Sequence, residues 1–114
     1  MIMKSLTDLL EQVKNPLISV CDNVGLYEAI DSTITHVIYA PDQEPSQVEA
    51  DNKKQIQTLQ GTIDLYALSK DRSLFDDIQE ALNEAEISFY LNSVQYEDLD
   101  KNNFIHFEWV FEVS

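Results

Sequence analysis

Asn103-Phe104-Ile105-His106-Phe107-Glu108-Trp109-Val110-Phe111-Glu112-Val113 is the most regular stretch of this sequence. Ile105, Phe107, Trp109, Phe111 and Val113 fall at every second position, and strict period-two alternation marks a strand with one buried face. Such a strand needs partners beside it and a layer above it. It carries no pattern of nucleophile, base or ligand residues, which points away from catalysis.

On its N-terminal side, residues 87–96 read as a second long strand. Ile87, Phe89 and Leu91 form one face, and Ser88, Tyr90, Asn92, Val94 and Tyr96 the other. The acidic, polar run 97–102 makes the turn between the two. Further upstream, Leu74, Phe75, Ile78, Ala81, Leu82 and Ala85 recur at helical spacing, with Ser69 or Asp71 available as a cap. Residues 61–68 alternate again, with Ile63, Leu65 and Ala67 on one face.

In the first half, Leu6, Leu9, Leu10 and Val13 form one apolar stripe of a short helix. Ser5 followed by Asp8 resembles a capping box with Asp in place of Glu. Pro16 is expected to end that helix, because the residue before a proline avoids the helical region. Residues 17–21 then read as a short strand and 23–31 as one helical turn or an irregular crossing. Residues 33–40 form a β-branched and aromatic strand closed by Pro41. Residues 41–60 are polar and too long for an ordinary connection. They are expected to form a mobile loop that another molecule orders, through Asp42, Glu44, Glu49, Asp51, Lys53 and Lys54.

These elements predict a single α+β domain over residues 1–114, with a mostly antiparallel sheet of four or five strands and two main helices on one face. The opposite face is then unusually apolar. Tyr66, Tyr90, Val94, Tyr96, Phe104, His106 and Val110 are assigned to it as a protein interface, since tyrosine-rich patches suit that use. Cross-strand aromatic pairing on a partly wet face would give the same composition.

The charge balance is extreme, with 21 acidic residues against 7 basic ones and a net charge of −14. Such a surface repels nucleic acid and anionic membrane. With only 2 glycines, Gly25 and Gly61, glycine-rich phosphate loops are excluded. Cys21 is the only cysteine, so no disulfide forms within the chain, in keeping with a reducing cytoplasm. The thiol lies in an apolar run that favours an inert buried group, and nothing in the spacing brings it to His36 or His106. Two histidines and one cysteine lack metal-ligand spacing. Asp98, Asp100 and Asn102 imitate the start of a calcium loop, but Asn103 stands where Gly is required and Trp109 where a bidentate Glu is required. No cofactor, metal or catalytic residue is therefore expected, and the start of the chain has no long apolar core of the signal-peptide kind.

Two blocks carry a family resemblance. Gly61-Thr62-Ile63-Asp64-Leu65-Tyr66 is followed by Ser69-Lys70-Asp71-Arg72-Ser73-Leu74-Phe75-Asp76-Asp77-Ile78-Gln79-Glu80-Ala81-Leu82-Asn83. Ile87-Ser88-Phe89-Tyr90-Leu91-Asn92-Ser93-Val94-Gln95-Tyr96-Glu97-Asp98 precedes the strand quoted at the outset. Together they resemble the tail-terminator proteins (tail completion or head–tail joining proteins) of long-tailed bacteriophages and prophages. The likeness covers the C-terminal half and extends more loosely to the first helix and to His36-Val37-Ile38-Tyr39. It implies a structural, non-enzymatic subunit that forms a ring, typically a hexamer, on the tail tube at the head–tail junction of the virion. The ring's partners are then its own copies, the major tail tube protein and a neck or connector protein, and DNA passes through its channel without specific binding. Residues 41–60 match no motif of that family. Two other functions remain open on sequence: another neck or head-completion component of the virion, and an acidic DNA-mimic inhibitor of a basic enzyme.

Overall fold

The computed structural model describes residues 4–43, 55–99 and 102–114. In chain order the elements are β1 (Lys4–Ser5), α1 (Leu6–Ile18), β2 (Val24–Leu26), β3 (His36–Pro41), β4 (Gln55–Ile56), β5 (Leu59–Leu68), a 3-10 turn (Ser69–Asp71), α2 (Leu74–Glu84), β6 (Ser88–Leu99) and β7 (Asn102–Val113). Five strands form one sheet in the order β2-β3-β5-β7-β6, and β1 pairs separately with β4. Only the β2–β3 pair is parallel; β3–β5, β5–β7 and β7–β6 are antiparallel. This is the expected α+β architecture, with the helices packed against the sheet.

The alternation read from β7 holds. Ile63 pairs with Trp109, Leu65 with Phe107 and Gly61 with Phe111, while Tyr39 and Val37 sit beside Ile63 and Leu65 on β3. Their common face meets Leu6, Leu9, Leu10, Val13 and Leu17 of α1 and Ile78 and Leu82 of α2 in one core. Trp109 is fully buried and donates its indole N–H to Gln79 Oε1 at 3.0 Å, which ties β7 to α2. Phe75 of α2 lies over Phe107 and Trp109, with ring centroids 4.6 and 5.4 Å away.

Several local expectations are corrected. Helix α1 does not stop at Pro16 but runs to Ile18, with the proline inside its last turn. The apolar stripe continues to Leu17, which is fully buried, and that burial outweighs the loss of one helical hydrogen bond. The strand expected at 17–21 is thus partly helix and partly turn. Ser5 caps as read, its hydroxyl accepting from the Asp8 N–H at 3.1 Å. Helix α2 takes neither Ser69 nor Asp71 as a cap: those residues form the preceding 3-10 turn, and the Asp71 carboxylate accepts from the Thr35 hydroxyl instead.

Residues 23–31 contain the short strand β2, which the sequence reading missed. Residues 41–60 are not wholly loop either. Pro41 ends β3, Gln55 and Ile56 form β4, and Leu59 and Gln60 open β5. The acidic run after Tyr96 is also less of a turn than expected, because Glu97 and Asp98 continue β6 and Asn102 already belongs to β7.

Candidate functional site: the β6 edge and the imidazole cluster beside it

Strand β6 is the outermost strand of the sheet, and among the described residues it pairs with β7 alone. It is twelve residues long and shows Tyr90, Leu91, Val94 and Tyr96 to solvent, with Tyr96 71% exposed. Natural edge strands are commonly blunted with Lys, Pro or inward charges. β6 has neither Lys nor Arg nor Pro, and its blunting is confined to one bulge at Asn92 and to Glu97, which turns inward onto His106 near the strand's far end.

A register shift between Leu91 and Ser93 changes which residues share a face. Before it, Leu91 pairs with Trp109; after it, Val94 pairs with Phe107 and Tyr96 with Ile105. The inserted residue, Asn92, donates from its side-chain amide to Glu108 at 2.8 Å. Val94 and Tyr96 therefore stand on the helix side of the sheet, beyond the helices, instead of sharing the other face with Tyr90 and Val110. The seven residues assigned to one face are split between two. A bulge reverses parity downstream of itself, and only the asparagine at 92 hinted at it.

The other five assigned residues do share the helix-free face, but three of them are engaged with one another. The Tyr66 ring lies between two imidazoles, stacked on His106 at 4.1 Å and on His36 at 4.7 Å. Phe104 meets His36 and Tyr66 edge-on and is completely buried. In the free chain Phe104 and His106 are thus interior, whereas Tyr90 is exposed and Val110 half-buried.

His106 has a carboxylate at each ring nitrogen: Asp64 of β5 lies 2.7 Å from Nε2, and Glu97 of β6 lies 2.9 Å from Nδ1. Both contacts are satisfied together only when both nitrogens carry protons, that is, when the ring is an imidazolium. Burial disfavours that charge, but the two hydrogen-bonded carboxylates outweigh it and hold the pKa above the ordinary histidine value. The result is a charged clasp across β5, β7 and β6. Burial first, and then the charges of Glu97, Asp64 and Glu108, push the Tyr66 hydroxyl up to about 12, so it stays neutral. His36 is fixed separately, its Nδ1 lying 2.7 Å from the Ile34 carbonyl.

Asp64, His106 and Glu108 bring donor atoms within 4.8 Å of one another. An ion there would have to displace the proton between Nε2 and Asp64 and the Asn92 amide on Glu108, so the arrangement as built serves hydrogen bonding. Burial also raises the Cys21 thiol above its usual value, which leaves it a poor nucleophile. Of the charged residues assigned to the 41–60 loop, Asp42 is exposed, and its N–H donates to the Gln60 carbonyl at 2.9 Å. Glu44, Glu49, Asp51, Lys53 and Lys54 lie outside the described residues. No helix among the described residues is long and apolar enough to cross a membrane.

Set against known family models and against curated proteins, the chain matches none.

Proposed function

We propose that this chain is a structural assembly subunit of a bacteriophage or prophage virion, acting at the tail terminator or head–tail joining position through protein contacts. The assembly half of that reading rests on β6: a twelve-residue edge strand with four exposed large apolar side chains and no Lys, Arg or Pro, blunted only by the bulge at Asn92 and the inward Glu97. The virion half rests on the sequence resemblance of the β5–α2 and β6–β7 blocks to tail-terminator proteins. In this role the subunit forms a ring on the tube end, meets the tail tube protein on one side and a neck protein on the other, and surrounds a passage for DNA. The net charge of −14 suits a passage wall to which DNA does not adhere.

The test is electron microscopy of purified tail tubes, from the phage whose genome encodes the chain, mixed with the purified protein. The expected result is a ring seated at one end of each tube and an arrest of tube growth. Tubes that elongate unchanged, with no protein at their ends, would remove the terminator assignment.

A further inference from the structure

Asn92 divides β6 into two parts of unlike anchorage. The inner part, Ser88 to Leu91, is entered through the buried Ile87 and packs Phe89 on the core. In the outer part no side chain from Ser93 to Asp98 is buried, and Val94 and Tyr96 are well exposed. A strand segment with few buried contacts belongs to the low-stability end of a fold. The bulge interrupts the ladder between Leu91 and Ser93, so the outer part can leave β7 without pulling the inner part with it.

A charged contact pins this outer part, with Glu97 lying 2.9 Å from Nδ1 of His106. The other groups facing that imidazole are Asp64 of β5 on Nε2, the neutral Tyr66 ring stacked on it with His36 behind, and Glu108 of β7. Glu108 already accepts from the Asn92 amide. Opposite His106 on β6 stands the uncharged Gln95, and the helices lie on the other face of the sheet.

The two bonded carboxylates are not equivalent. Asp64 is the nearer at 2.7 Å and the less exposed, and its strand is paired on both sides, by β3 and by β7. Glu97 sits on a strand with one neighbour among the described residues and has water beside it. An imidazolium donates to both. A neutral imidazole has one N–H and one lone pair, so it keeps Asp64 and turns the lone pair toward Glu97. Stacking on Tyr66 at 4.1 Å keeps the ring in place, so it does not follow the departing carboxylate.

We infer that His106 and Glu97 form a proton-operated latch: the protonated ring pins the outer part of β6 to the sheet, and the neutral ring releases it while the inner part stays paired. The closed form binds the proton more tightly, so the latch is shut at low pH and opens as pH rises through the raised folded value of His106. Val94 and Tyr96 ride on the released part, so the proton on His106 decides whether these two exposed apolar side chains are held in position. The latch does not depend on what the β6 edge binds.

Amide hydrogen exchange of the wild-type chain, followed by NMR from about pH 6 to about pH 9 to span the histidine range, tests it once the intrinsic pH dependence of exchange is divided out. The ladder amides of residues 93–98 should lose protection about tenfold or more, the worth of one hydrogen bond to a charged group, while those of residues 88–91 keep theirs. Glu97→Gln provides the second arm. Its carboxamide offers an oxygen to the imidazolium and an N–H to the neutral ring, so protection of the outer part should no longer depend on pH. Urea unfolding verifies that both chains stay folded at each pH. Equal loss in the two parts of β6, or no loss in the outer one, overturns the latch. So does a Glu97→Gln chain whose outer part still loses protection as pH rises.

Discussion

His106 has no chemical partner that its sequence position announces, and the fold supplies two carboxylates. Because its pKa is raised in the folded chain, the proton is bound more tightly folded than unfolded. The resulting stabilisation is complete below the unfolded value of about 6.5 and is lost as pH rises through the higher folded value. His106→Asn is therefore expected to cost about 2 kcal/mol at pH 6, the usual worth of hydrogen bonds to charged groups, with the gap to wild type narrowing at alkaline pH. Urea unfolding of both proteins across that range measures it; a gap that widens with pH would refute the clasp. Gly61 is equally specific. A Cβ there would lie 2.1 Å from the Ala40 carbonyl oxygen and 2.8 Å from the Phe111 ring, so the glycine lets that ring lie across the β3–β5 pair. Gly61→Ala should destabilise by about 3 kcal/mol, at the upper end of overpacking costs, as read from the urea midpoint. Neither effect was visible in the sequence, because both depend on which residues the register places opposite one another.

The secondary structure was legible where one periodicity ran without interruption. β5, α2 and β7 were found nearly to their ends because Ile63, Leu65 and Ala67, Leu74 to Leu82, and Ile105 to Val113 each keep one period. Reading failed where tertiary burial outweighed a local signal, as with Leu17 beyond Pro16, and where an element was too short to show a period, as with β2. The bulge at Asn92 is the most consequential miss, since it decides the face of everything after it. Deleting Asn92 should close the bulge and leave the pairing beyond it in place, with Ser93 opposite Glu108, Tyr96 opposite Ile105 and Glu97 within reach of His106. The His106 pKa, followed by its ring proton resonances in NMR, should then stay above the ordinary histidine value. A fall to the ordinary value would mean that the bulge itself positions Glu97.

For the whole molecule, the long dimension of 44 Å is close to the length of the β6–β7 hairpin, whose twelve-residue strands span about 40 Å at about 3.3 Å per residue. The outermost strand of that hairpin thus offers a contact surface nearly as long as the protein. The missing glycine loops and ligand spacings pointed only away from catalysis. Composition could not indicate that three of the seven residues assigned to the interface are engaged inside the sheet face: Tyr66 stacks between His36 and His106, and Phe104 meets Tyr66 and His36 edge-on. It also gave no sign that Leu26, Ile30 and Ile34 stand exposed, since their four-residue spacing falls on a short strand and a loop and not on a helix. At a net charge of −14 per chain, copies repel one another at low ionic strength, so association should strengthen as salt is added. Sedimentation velocity of the purified wild-type chain, over a wide range of concentration at low and high salt, bears most directly on assembly. The expected boundary is a discrete oligomer that gains population with both concentration and salt. A single monomer boundary under every condition would contradict it.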